Sequence, residues 1–310
     1  MALNVRPART VEPTRQTRRA KASRVGVSNR ENVVRTSILL VIAMYFFFPL
    51  YWLVVASTKN VPGLFNGSNG SLWFDDVFAL GTNLGELFTQ SNGIYGRWLL
   101  NSLLYALCGG VGATALAVLA GYGFAKYTFR GRTGMFALVL GGVMVPVTAL
   151  VIPTFMLMGI LELNNTYWAV ILPSLLSPLG VYLMRVYSQD AIPDELLDAA
   201  RIDGAGEARV FFSIALPLMR PAIATVLLLA VVSTWNNYFL PLAVLSDPNL
   251  FPVTVGLSQW LTLAGAAGGS DQLWNLILIG ALVSVLPLIA AFVGLQRYWQ
   301  GGISLGAVKS

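Results

Sequence analysis

The sequence contains no histidine and a single cysteine, Cys108. These shortages exclude His-based triads, HExxH metalloenzymes, zinc fingers and disulfide frameworks in one step, so no metal site is expected. Charge is scarce as well. Asp, Glu, Lys and Arg make up 11% of 310 residues, against roughly 25% in an average soluble domain. A fully water-facing surface cannot be built from that supply. There is no GxxxxGK[ST] phosphate loop, so the chain does not hold ATP by that device. Gly110-Val-Gly112-Ala-Thr-Ala115 matches a dinucleotide-binding spacing. It lies in an apolar run with no strand before it, and is read as close helix packing. Cys108 lies in the same run, which predicts a buried, inert thiol.

What is abundant is apolar length. Hydrophobic residues are 56% of the chain, and a bilayer core needs about 20 of them in one helix. Six runs qualify or nearly do: Ile38–Ala56, Leu99–Phe124, Met135–Leu161, Tyr167–Leu183, Ala222–Leu245 and Leu276–Leu295. None contains Asp, Glu, Lys or Arg. Seven prolines interrupt them, among them Pro49, Pro146 and Pro178, which membrane helices tolerate when neighbours satisfy the freed backbone groups. The expected fold is therefore an all-α integral membrane protein with six transmembrane helices.

Lys and Arg fix the orientation. Eighteen of the twenty lie before the first run, after the second and fourth, or after the sixth. Only Lys59 and Arg97 fall on the other side. Both termini are expected in the cytoplasm of a bacterium, with the chain multi-pass in the inner membrane. Residues 1–36 read as a basic, disordered tail that attracts lipid rather than nucleic acid. Residues 37–57 are the first span and 58–97 an external loop. Residues 98–297 are the bundle core and 298–310 a cytoplasmic tail. In the external loop, Asn66 and Asn69 head N-x-S sequons, read as coincidence, and 72–88 is weakly amphipathic. Segment 246–275 is read as a further external loop.

The connection from about Arg185 to Arg220 is too long and too patterned for a connector. Pro193 suits the first turn of a helix, and Asp194 and Glu195 favour its dipole. Leu196, Leu197, Ala199, Ala200 and Ile202 continue it, and Gly204 and Gly206 end it. A second amphipathic segment, Glu207 to Leu216, runs into Pro217. Two readings fit these residues equally: a helix that docks on a basic partner groove, or an interfacial helix packed on its own bundle.

Asp198-Ala-Ala-Arg-Ile-Asp-Gly204, followed by nine residues and Ile214-Ala-Leu-Pro217, resembles the EAA motif of the permeases of ATP-binding-cassette (ABC) importers. Trp98 with Asn101-Ser102, Gly121-Tyr-Gly-Phe-Ala-Lys126, Asn165-Thr-Tyr-Trp168, Ser233-Thr-Trp-Asn-Asn237 and Gln296-Arg-Tyr298 resemble the carbohydrate-uptake branch, over about residues 95–309. The resemblance is closest to the smaller, second permease of maltose-type systems. It implies the MetI-like fold of type I importers and a homologous permease as partner. It also implies two ATPase subunits carrying ATP and magnesium, and an external solute-binding protein. The chain itself would bind no cofactor and catalyse nothing. The ATPase-coupling residues implied are Glu195, Asp198, Ala199, Ala200, Arg201, Asp203, Gly204 and Ala205. Asp198 stands where the motif has Glu, one methylene longer. The expected solute is a sugar or oligosaccharide, with a polyol or glycerol phosphate as the alternative. An ion-driven transporter would need charged residues inside its spans, and an intramembrane enzyme a nucleophile–base pair; neither is present. Trp98, Asn101, Ser102, Trp235, Asn236 and Asn237 are the candidate substrate path, since amides and indoles suit sugar hydroxyls and C–H faces. Ordinary interhelical packing is the competing reading for them.

Overall fold

The structure, a computed structural model, describes residues 29–66, 70–266 and 271–306, so the basic tail before Asn29 and the last four residues lie outside it. Every regular element among the described residues is helical. The chain forms two compact units, residues 1–50 and 51–310. The first comprises most of α1 (Asn29–Ser57), an apolar helix with Pro49 inside it.

The second unit takes in the end of α1 and continues with α2 (Val61–Asn66) and α3 (Leu80–Thr89). Then comes a left-handed corner, Ser91 (φ 48°), Asn92 (φ 62°) and Gly93 (φ 77°), that turns the chain into α4 (Ile94–Lys126). The next pair is α5 (Arg132–Met144) and α6 (Val151–Ile160), followed by α7 (Trp168–Ser174) and α8 (Pro178–Ala191). The patterned connection forms α9 (Asp194–Ile202) and α10 (Glu207–Val210). A π-helical turn, Phe211–Ala215, leads into α11 (Leu216–Leu218). After it come α12 (Arg220–Trp235), α13 (Phe239–Val244), α14 (Val253–Gly265) and α15 (Gln272–Gly306).

Four stretches are long and apolar enough to cross a membrane: Asn32–Ser57, Leu80–Lys126, Trp168–Ala191 and Gln272–Gln296. Two more are bent pairs: Arg132–Met144 with Val147–Ile160, at 100°, and Glu207–Leu218 with Arg220–Trp235, at 78°. Counting each pair once gives six. The first bend falls at Pro146, which has no N–H to continue the helix ladder.

Helix α4 is the hub of the second unit, because its small residues let neighbouring backbones come close. A Cβ on Gly110 would lie 3.0 Å from Val231 Cα, and one on Gly121 2.8 Å from the amide nitrogen of Arg185. The Gly110–Ala115 string is thus helix packing, as its apolar context implies. Two apolar clusters flank this contact. One gathers Tyr95, Trp98, Tyr105 and Trp260; the other gathers Tyr122, Met184, Leu197, Val210 and Met219.

Two expectations are corrected. Segment 246–275 is not simply a loop: it contains α14, whose Val253, Val255, Gly256 and Trp260 are buried. Thirteen residues are too few to cross a bilayer, so length alone hides this helix. Cys108 is exposed on the surface of the chain, not buried. An apolar run has the same composition whether it faces a core, lipid or another subunit. Lys59, in the segment after α1, is buried: its ammonium donates to Gly70 O at 2.7 Å and to Asp75 Oδ1 at 3.1 Å.

Candidate functional site

The connection between α8 and α12 is built by local rules. Pro193 is the N-cap of α9, in extended conformation, and Asp194 and Glu195 occupy the first turn. There, negative charge meets the positive end of the helix dipole. Arg201 occupies the last turn, where the dipole favours a cation. The helix ends in a Schellman motif: Ala205 N–H donates to Ala200 O and Gly204 N–H to Arg201 O, each at 3.0 Å. Gly204 sits at φ +82°, a conformation that costs an L side chain roughly 1–2 kcal/mol. A Cβ there would meet nothing within 4 Å. Gly204 is required by the turn, and the space in front of it is open.

Leu197 anchors α9: it is buried with Ile192 and Val210 in the second cluster, and its burial stabilises the helix by about 1.5–3 kcal/mol. The opposite face is exposed and combines apolar with acidic groups. Leu196 and Ile202 are open, Ile202 to 85%, beside exposed Glu195, Asp198, Ala199 and Asp203. Ala200, Arg201 and Ala205 are half-buried. Of the eight residues expected to couple, four therefore share the exposed side, with Gly204 at its edge.

A polar chain ties α9 down. Lys126 Nζ donates to Ile192 O at 2.6 Å and to Asp194 Oδ1 at 2.7 Å. Arg201 Nη1 donates to Asp198 Oδ1 at 2.9 Å, and its Nε to Glu207 Oε1 at 2.8 Å. Tyr127 O–H donates to Glu207 Oε2 at 2.6 Å. Hydrogen bonding and charge from Lys126 hold the Asp194 carboxyl below the usual carboxylate range. Arg201, then Tyr127, do the same for Glu207. Asp198, at the position of the motif's Glu, is already paired with Arg201 within the chain. Sequence reading missed Lys126, Tyr127 and Glu207 as partners; Lys126 and Tyr127 stand 66 to 80 residues from the atoms they hold, and Glu207 six residues from Arg201.

The candidate substrate path divides. Trp98, Asn101, Ser102 and Trp235 are buried. Trp98 Nε1 donates to Pro248 O at 2.8 Å, and Asn101 Nδ2 to Asn249 O and Phe251 O at 2.8 and 3.0 Å. Ser102 Oγ accepts from Val253 N–H at 2.8 Å. These three side chains staple segment 248–253 to α4, and their hydrogen bonds are made inside the chain. Sequence shows which residue types α4 offers but not which way they point. Trp235 packs in the first cluster. Asn236 is exposed and Asn237 half-buried at the break between α12 and α13. No group of three metal-ligating side chains occurs among the described residues.

Residues 113–304 match the family described as binding-protein-dependent transport system inner membrane component. The arabinooligosaccharides transport system permease protein AraQ of Halalkalibacterium halodurans is 37% identical over 269 residues, covering 86% of this chain and 93% of the relative. The lactose transport system permease protein LacG of Rhizobium radiobacter is 32% identical over 280 residues, covering 90% and 96%. A chain of a bacterial ABC transporter involved in the import of the acidic polysaccharide alginate shares the fold. It has a TM-score of 0.77 and 21% identity, covering 89% of this chain and 98% of that one.

Proposed function

The chain belongs to the family of binding-protein-dependent transport system inner membrane components, and from there we propose that it is one permease subunit of an ATP-driven importer of a sugar or oligosaccharide. The family places it in the inner membrane as a transport subunit, working with an ATPase and a solute-binding protein. In this reading a homologous permease completes the translocation path, an external binding protein delivers the solute, and two separate ATPase subunits bind ATP and magnesium. The chain performs no catalysis of its own. Both termini and the α9 connection are cytoplasmic, as the distribution of Lys and Arg requires.

The observation that carries the coupling role is the shape of α9. Its buried side is anchored by Leu197 and its ends by ion pairs, while Leu196, Ala199 and Ile202 are left open among acids. Such a face fits an apolar cleft with a basic rim on the ATPase. ATP-driven closure of that cleft moves α9 and switches access across the bundle. Asn236 and Asn237 are the residues of this chain offered to the solute. The sugar assignment rests on the arabinooligosaccharide and lactose permeases among its relatives.

Replacing Gly204 by Leu tests the coupling. The bulky side chain enters the open space in front of the turn and strains φ +82°. Loss of co-purification with the ATPase and loss of uptake are expected; if both persist, the coupling role of α9 is wrong. The substrate class is tested by calorimetry on the associated binding protein with arabinan and galactoside oligosaccharides. A metal or amino acid as its sole tight ligand removes the sugar reading.

A further inference from the structure

The α9 helix has weak covalent moorings. Before it, Ile192 and Pro193 are extended (φ −116°, ψ 104° and φ −63°, ψ 135°). After it come Gly204 and Gly206, the latter also extended. Each φ and ψ is a soft rotor. A helix hung from such links pivots when pushed unless something else holds it.

Besides the buried Leu197, what holds it is the dipeptide at the end of α4. Lys126 is the last residue of that helix, and Tyr127 beyond it is extended (φ −107°, ψ 142°), so the two neighbouring side chains diverge. Lys126 grips the start of α9 through Ile192 O and Asp194. Its side chain is only 5% exposed, and a buried ammonium without its partners would be uncompensated. Tyr127 grips the far end through Glu207, which binds Arg201 of α9 with both carboxylate oxygens, at 2.8 and 3.3 Å. Through the backbone of α9, these contacts of Lys126, Asp194, Arg201, Glu207 and Tyr127 close a ring.

At its other end α4 holds segment 248–253 through Trp98, Asn101 and Ser102. One helix of 33 residues, about 50 Å long, is therefore fastened to the α9 connection at one end and to the α13–α14 connection at the other.

We propose that Lys126 and Tyr127 form a two-point clamp that makes α9 and α4 move as one body, so that a push on the coupling helix reaches the far end of α4. They act as positioning residues, with Arg201 and Glu207 as their counterparts. This rests on the coupling role of α9 argued above and adds the route by which its motion enters the bundle.

The test uses the assembled importer with its ATPase subunits in lipid nanodiscs. Cys108 is replaced by Ser, and spin labels are placed at Ile202→Cys and Leu100→Cys, both exposed. Pulsed dipolar spectroscopy reads the distance between the tip of α9 and the far end of α4, without nucleotide and with ATP plus vanadate. The expected result is one narrow distance, the same in both states. In Lys126→Met/Tyr127→Phe the narrow population is lost or becomes nucleotide-dependent. Lys126→Arg keeps the cation and restores it. Tyr127→Phe alone removes one hydrogen bond, and its partial broadening guards against a misfolded double variant. A nucleotide-dependent distance in the clamp's presence, or an unchanged narrow distance in its absence, overturns the proposal. A label pair from Ile202→Cys to the ATPase separates the two ideas. If that distance ignores ATP, the coupling role of α9 fails, whatever the clamp does.

Discussion

Single side chains in this protein act mostly on the chain's own backbone. Asn101 is the clearest case, since its one amide group serves two carbonyls. Asn101→Ala leaves both without that donor, at about 1–3 kcal/mol for a buried unsatisfied group. The expected outcome is a lower melting temperature for the purified complex with solute affinity unchanged, read by a thermal shift assay and a binding titration side by side. A fall in affinity at constant stability would return Asn101 to the substrate path. Asn236→Ala is expected to do the opposite: reduced uptake with unchanged melting, because its side chain faces outward and supports nothing.

At the scale of the element, the α9 connection was the most legible part of the chain. Pro193, Asp194, Glu195 and Gly204 are helix-boundary signals that act within one turn of themselves, so sequence carries them intact. Helix α14 was not legible, because Phe251 to Gly265 mixes β-branched residues with Leu and Trp and is too short to read as a span. The clamp was equally hidden: nothing local to Lys126 marks Asp194 as its partner. The ring also has a pH signature. Asp194 and Glu207 titrate below their ordinary values in the folded chain. Their contribution is therefore complete above the ordinary carboxylate pKa of about 4, and fades only as pH falls through the lower folded value. With no histidine in the chain, the distance between Ile202 and Leu100 is expected to stay constant from about pH 8 to about pH 5. Broadening near neutral pH would show that other groups hold α9.

For the whole molecule, composition made the membrane class legible and charge placement assigns an orientation, while the packing of each span was not legible. Apolar side chains satisfy lipid, core and subunit interface alike, which is why Cys108 was misplaced. The orientation makes a prediction of its own. In the Cys108→Ser background, a cysteine at Ile202 is expected to react with a membrane-impermeant maleimide only in inside-out vesicles. One at Ser91, in the corner before α4, reacts only in right-side-out ones. Reaction of both from the same side would overturn the assigned topology. The 100° break between α5 and α6 has a further consequence. Val145 and Pro146 break the helix between α5 and the 3-10 turn at 147–150, and both are exposed along this chain, yet non-helical backbone at membrane depth is tolerated only where protein or water covers it. A copy made in excess of its companions would carry that bare corner in lipid, where membrane proteases select their clients. Cellular turnover, followed by pulse-chase, is then expected to hold the amount of this subunit to that of its companions, so that supply is matched by degradation rather than by synthesis.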